Sequence, residues 1–252
     1  MSILIEVACA SVDDCVEAEA AGAGRLELCS ALVVGGLTPS LGLFEAARAR
    51  TRVPIVCMVR PRAGAFCYDE GDLDAMRGDI EAFRTAGASG VVFGVLDDEG
   101  SVDVDRCRDL VARAAGMETV FHRAFDVVRD ADAALDALIA VGVTRVLTSG
   151  RAPTSVAGAS VIRRAIVRSA GRLEVLPGGG VRADSVVELI AATGAGAVHL
   201  GPQTARVDAS GAANPGISFA SPGVAADRYP SLDAAAVRAV RDALRSIHPA
   251  SL

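Results

Sequence analysis

Four stretches of this chain are variations on one another: GAGRLELC at 22–29, GASGVVFG at 87–94, GVTRVLTS at 142–149 and GAGAVHLG at 194–201. Each opens on a glycine three residues ahead of a short β-type run, where a helix that has just ended needs a residue free to turn left-handed. Between successive copies lies room for one more strand and one more helix, so the repeat has the period of two βα units. β-type runs fall near 3–9, 25–29, 54–59, 90–94, 118–122, 145–149, 172–177 and 197–200. Helix-opening residues follow them at Ser11, Thr38-Pro39, Asp72, Asp103, Asp130, Thr154 and Asp184, with Ser231 opening a last helix. Eight strands each followed by a helix predict an α/β fold of the (βα)8 TIM-barrel type. A doubly wound open sheet gives no reason for a repeat in quarters.

Such a barrel needs one large core, and 252 residues at 51% hydrophobic content suffice for it as a single domain over 1–252. In this division the strands and helices of the barrel occupy 1–201, a long Gly-, Ala- and Ser-rich loop 202–230, and a C-terminal helix 231–248. A net charge of −6 and 4% aromatic content argue against a nucleic-acid partner, which needs a basic face or stacking platforms. No stretch reaches the roughly 20 apolar residues that span a bilayer, and the first residues lack the basic start of a signal peptide. The six cysteines are scattered without a C-x-x-C pair, which suits a reducing cytoplasm. All 25 basic residues are arginine, so Schiff-base chemistry on lysine is excluded.

Aligning the four copies puts Glu27, Val92, Leu147 and His199 at one strand position, and Cys29, Gly94, Ser149 and Gly201 two residues later on the same face. The apolar residues between them (Leu26, Leu28, Val198, Leu200) suit the helix-facing side, so this face is expected to point into the barrel. Glu27 and His199 then share an interior layer with Glu6 and Arg25 nearby, and His122 ends the fifth strand. A histidine and a carboxylate facing each other across a barrel are candidates for acid–base catalysis at neutral pH. Glu6 and Arg25 read equally well as a structural ion pair, because buried charges need partners.

Candidates for holding an anion lie in the loops that follow the strands. Arg60 and Arg62 flank a proline after the third strand and resemble a rigid clamp for carboxylate or phosphate. Arg123 and Asp126 follow His122 within one turn of chain. Gly178, Gly179 and Gly180 close the seventh strand, with Gly201 after the eighth and Ser149 after the sixth; loops seven and eight of such barrels commonly bind phosphate through backbone N–H groups. Cys15, Cys57 and Cys107 read as packed core thiols. Cys29 and Cys67 fall at or near the rim and are the candidate soft ligands, although nothing in their spacing brings them together.

The segments RLELCSALVVGGLTPSLG, MVRPRAGAFCY, GVVFGVLDDEGSVDVDR, FHRAFDVVRD, RVLTSG, LPGGGV and VHLG together resemble the CutC family, named for copper homeostasis. The resemblance runs from the first strand to about residue 201. It implies a TIM barrel, a cytoplasmic and usually oligomeric protein (dimer or tetramer), and a role associated with copper, with Cys29 matching a family cysteine. Two departures stand out. Where the family reads E-V-C in the first strand, this chain has Ala8, with Cys9 one place on and expected to face the helices. In the loop after Cys29, Ala31, Val33 and Val34 replace small and polar residues, making it more apolar. Three readings follow: a protein binding copper(I) at the barrel mouth through Cys29 and Cys67, an enzyme acting on a small phosphorylated or carboxylated metabolite through Glu27, His122 and His199, or a scaffold whose apolar loop meets another protein.

Overall fold

The computed structural model describes residues 3–214, 216–217, 225 and 227–247. Eight short parallel strands form one sheet: β1 (Leu4–Cys9), β2 (Arg25–Leu28), β3 (Ile55–Met58), β4 (Gly90–Phe93), β5 (Glu118–Phe121), β6 (Arg145–Thr148), β7 (Glu174–Pro177) and β8 (Ala197–Leu200). They are hydrogen-bonded in the order β7-β6-β5-β4-β3-β2-β1-β8, and a parallel bridge between Gly178 and His199 joins the two ends into a ring. Around the ring lie α1 (Val12–Ala21), α2 (Leu41–Arg48), α3 (Glu70–Ala86), α4 (Val104–Arg113), α5 (Ala131–Val141), α6 (Ala159–Ser169), α7 (Val186–Thr193) and α8 (Ala234–Ile247). The molecule is a (βα)8 TIM barrel.

The quarter repeat has a physical basis in how helices stop. α1, α3, α5 and α7 end on Gly22, Gly87, Gly142 and Gly194, all left-handed with φ between 74° and 108°, and three residues later a strand begins. At the other ends, the side chains of Ser11, Asp103 and Asp130 accept backbone N–H groups of the first turn, as their sequence positions predict. Other starts slip: Ser40 caps α2, Asp69 caps α3 with Asp72 inside its first turn, and Asp233 takes the N–H of Ala236 at the start of α8.

Two apolar clusters result, and they separate the strand faces. Residues such as Val7, Cys9, Leu26, Leu28, Cys57, Val91 and Val198 pack outward under the helices. Cys29, Val56, Met58, Val92, Val120, Leu147, Leu176 and Ala197 fill the barrel interior. The face carrying Glu27 and His199 is therefore the inward one. At the N-terminal end of the barrel, Arg145 is sandwiched between the carboxylates of Glu118 and Glu174.

The two ends of the expected 202–230 loop pair with each other. Gln203–Val207 (β9) and Arg228–Leu232 (β10) pair antiparallel, Gln203 opposite Leu232. Their pattern carries little apolar alternation, and each strand's partner lies more than twenty residues away, so local sequence does not reveal the pairing. Residues 215, 218–224 and 226 within that segment, and residue 248 of the expected last helix, lie outside the described residues. Ser231, expected to open that helix, lies in β10 and meets α1 instead. There the buried Asp14 takes the Ser231 hydroxyl and the Leu232 N–H, each at 3.0 Å, and the Ala10 N–H at 3.1 Å. This carboxylate is the hinge pin between the hairpin and the barrel. Asp14→Ala leaves three donors without their acceptor, and the expected loss is about 2–4 kcal/mol in urea denaturation; a variant as stable as the parent would show that the hairpin is held by other contacts.

Candidate functional site

β1, β2 and β8 are neighbours, and their register sets Glu6 beside both Arg25 and His199, with Ala8 beside Glu27. The side chains form a buried chain of alternating charge. Arg25 pairs with Glu6, the other Glu6 oxygen meets His199 Nδ1 at 2.7 Å, and His199 Nε2 lies 3.8 Å from Glu27 Oε2. Burial alone would raise the Glu6 carboxyl, but His199 and Arg25 outweigh it and hold the group down at about 2. Burial raises Glu27 above the usual carboxylate range, with Glu6 adding to it and His199 only partly offsetting it. For His199, burial works against the charged ring, yet Glu27 and Glu6 together hold it above its ordinary value. Glu27 Oε1 accepts no hydrogen bond.

His122, at the end of β5, is held in one protonation state by its surroundings. It caps the 3-10 turn Arg123–Val127, its Nδ1 accepting the N–H of Ala124 at 3.1 Å. The proton of the neutral ring therefore sits on Nε2, which is buried and without a partner. Burial, followed by the charge of Arg60, pulls the ring down to about 3, so it is uncharged at neutral pH. Phe66 lies against it with ring centroids 4.8 Å apart. On the other side the backbone of Gly94 makes room: a Cβ there would stand 2.4 Å from the imidazole Cε1.

The loop residues have distinct tasks. Arg60 Nη1 donates to the carbonyls of Val34 and Gly36, and its Nη2 to that of Gly64, so it latches the loops after β2 and β3 together rather than opening toward solvent. Arg62 is paired with Asp72 at 2.7 Å and donates to the Cys67 carbonyl. The two arginines thus do not form a joint fork. Asp126 organises the loop after β6 by accepting from Thr148 Oγ1 and from the N–H groups of Ser149 and Arg151. It also fixes Arg123 Nε at 2.7 Å, while Ser149 Oγ takes Arg123 Nη2 at 2.8 Å. Arg123 Nη1 has no hydrogen-bond partner among the described residues, and Gly179 packs against this guanidinium.

Two cavities open at this end. One of about 380 Å³ has Glu27, His122, Arg60, Phe66, Ala8 and Leu147 on its walls. The other, about 710 Å³, lies over Gly179, Gly180, Val181 and Arg182. Arg123, His199, Gly201 and Gln203 line both, so the two form one trough. Gly178 is drawn into the sheet by the Thr148 carbonyl and the bridge to His199. Gln203, on a segment expected to be loop, and Phe66 went unassigned in the sequence; neither carries a spacing signal, because each acts through contacts with a different loop.

The cysteines divide clearly. Cys9, Cys15, Cys57 and Cys107 are buried on the outward side. Cys29 faces inward, fully buried beneath Gly36, with Sγ 3.6 Å from Glu27 Oε2; burial and then Glu27 push its thiol well above its ordinary range. Cys67 is exposed. Among the described residues, one group of three possible ligands has its atoms within 4.8 Å of one another, Glu6, Glu27 and His199, and neither rim cysteine belongs to it.

The molecule is a closed βα barrel whose mouth is a trough floored by buried carboxylates and imidazoles. Residues 3–204 match the model of the CutC family, and the chain belongs to that family. It is 44% identical over 218 residues to a CutC family protein of Treponema denticola, covering 86% of this chain and 89% of the relative. It is 39% identical over 203 residues to the mouse protein named copper homeostasis protein cutC homolog, covering 81% and 75%. The crystal structure of a candidate copper homeostasis protein CutC from Streptococcus agalactiae superposes with a TM-score of 0.74 at 30% identity, over 79% of this chain and 98% of that one.

The lowered value of His122 contributes to the loss of stability in acid. Its folded value, about 3, lies below the ordinary 6.5, so as pH falls through that interval the unfolded chain binds this proton first and stability drops. The slope is up to about 1.4 kcal/mol per pH unit. Glu6 acts in the same direction lower down: its contribution is whole above 4.5 and is lost as pH falls toward about 2. His122→Asn is expected to flatten the stability profile between about pH 6 and pH 4; an unchanged slope would place a charged ring at this position.

Proposed function

We propose that this CutC-family protein is an acid–base enzyme acting on a small phosphorylated or carboxylated metabolite at the mouth of its barrel. One observation carries the reading: Glu27 Oε1 and His122 Nε2, both buried and both without a partner, belong to side chains that wall the same cavity of about 380 Å³. Unsatisfied buried polar atoms cost roughly 1–3 kcal/mol each unless a ligand meets them. His199, tied to Glu6, holds Glu27 in place. The anionic end of the ligand belongs on Arg123, oriented by Asp126 and Ser149, with the backbone of Gly179, Gly180 and Gly201 around it and Gly178 held in the sheet by the Thr148 carbonyl.

Calorimetric titration with inorganic phosphate and with small sugar phosphates tests the anion site. Arg123→Ala is expected to weaken binding by about tenfold or more, the loss of one charge-assisted contact. Equal affinity in the variant would remove the reading.

Copper(I) as cargo is a second reading, with an observation of its own. The one inward thiol, Cys29, borders Glu27 at the cavity floor, and relatives carry names for copper homeostasis. A soft ion wants a second soft donor close by. Cys67 is exposed on the loop after β3, outside any ligand cluster, and the neighbour of Cys29 is a hard carboxylate. The donor set therefore fits copper(I) poorly. Anaerobic competition of copper(I) against a strong chelator decides it. Stoichiometric binding abolished by Cys29→Ala would establish the metal role; binding indifferent to Cys29 is the expected outcome.

Six unpaired cysteines suit the reducing cytoplasm in which we place the protein. No helix among the described residues is long and apolar enough to cross a membrane. The exposed Val33 and Val34 suit a contact between copies in a dimer or tetramer; a monomer in sedimentation would discard that contact.

A further inference from the structure

The geometry points to a particular reaction at this mouth: transfer of a proton between neighbouring carbons of a phosphorylated α-hydroxy ketone or aldehyde, with Glu27 as the base and neutral His122 as the donor to the carbonyl oxygen. The inference rests on the anion-binding reading above and narrows it. Three features of the molecule carry it.

The first is the state of His122. Because Nδ1 already accepts the Ala124 N–H, the ring presents Nε2–H, and its place between Phe66, Arg60 and Gly94 disfavours the cation. An uncharged imidazole is a poor proton donor to a leaving group at neutral pH. It matches an oxygen that becomes an enediolate, whose own proton affinity is close to that of neutral imidazole. The second is the absence of rivals. The chain has no lysine to form an imine, and the thiol of Cys29 is sealed beneath Gly36 and held protonated. Activation through a lysine imine or through Cys29 is therefore unavailable, and the Nε2–H of His122 is a hydrogen-bond donor on the cavity wall that can polarise a carbonyl. The third is the trough. Arg123, with one Nη free, stands on the walls of both cavities, so an anion held beside Gly179 and Gly180 extends its carbon chain toward Glu27 and His122.

The step balances without a cofactor. Glu27 Oε1 takes the proton from the carbon bearing the hydroxyl, and the C–H electrons form the enediol double bond. The carbonyl π pair goes onto its oxygen, which takes the Nε2 proton of His122. The electrons then return from the second oxygen, whose proton passes back to Nε2, and Glu27 delivers its proton to the former carbonyl carbon. One C–H and one O–H bond break and one of each forms.

Proton NMR in deuterium oxide reads this directly, with dihydroxyacetone phosphate and a phosphorylated pentulose as probes. Wild-type protein is expected to introduce solvent deuterium at the carbon next to the carbonyl. Glu27→Gln is expected to slow exchange about 10³-fold and His122→Gln about 10²-fold, each with calorimetric affinity for the same probe changed by less than about threefold. Glu27→Asp, which keeps the carboxylate, is expected to restore part of the rate. Probe binding without exchange would overturn this inference and leave the anion site standing. No binding of either probe would bring down both. Exchange that survives Glu27→Gln undiminished would show that another group, or another protein in the preparation, supplies the base.

Discussion

Four side chains, Arg25, Glu6, His199 and Glu27, stand in line across the inside of the barrel, and closure of the fold depends on their pairing. Removing such charges from water carries a penalty of several kcal/mol per ion, tolerable only when every charge meets its opposite. The residues come from β1, β2 and β8, so the line is complete only when the last strand docks beside the first. His199 reaches Glu6 at 2.7 Å through that docking alone. Arg25 and His199 alternate with Glu6 and Glu27, so each carboxylate has a basic group beside it. Both Glu6 oxygens are already engaged, one by Arg25 and one by His199 Nδ1, so the cluster is a closed set of ion pairs that holds Glu27 and His199 in place.

Above the line, the loops give the remaining polar groups fixed places. Arg60 joins the loop after β2 to the loop after β3 through three carbonyls, and in doing so adds its charge to the burial that keeps the His122 ring neutral. Asp126 does the corresponding work on the other side, gathering Thr148, Ser149 and Arg151 while aiming Arg123. Gly94 belongs to the same construction. Any side chain there would drive the imidazole off β4, so one missing methyl group lets His122 lie where its Nδ1 can reach Ala124.

Much of this was legible in advance because it follows from backbone periodicity. The four glycines at 22, 87, 142 and 194 locate four helix ends and four strand starts, and the period of two along each strand then places Glu27 and His199 on one inward face. What stayed hidden depends on contacts between distant loops. Nothing in R-P-R reveals that Arg60 turns back onto carbonyls of residues 34, 36 and 64 while Arg62 leaves for Asp72. The hairpin of Gln203–Val207 with Arg228–Leu232 is equally silent, since its anchor, Asp14, lies on the first helix. The tautomer of His122 is set by the N–H two residues on, a matter of local turn geometry that composition does not express.

The same floor is asked to serve two chemistries, and the charge balance distinguishes them. Copper(I) on Cys29 requires a thiolate 3.6 Å from the Glu27 carboxylate, where burial and that carboxylate both disfavour the charged sulfur. Where the family resemblance puts a second cysteine, on β1, this chain has Ala8, so the thiolate would find no soft partner across the strand. Proton transfer asks for no new charge. In the proposed reaction Glu27, raised by burial, is the group that takes the proton, and His199 stays pinned to Glu6. Ala8 stands on the wall of the cavity that Gly201, Arg123 and His122 also line.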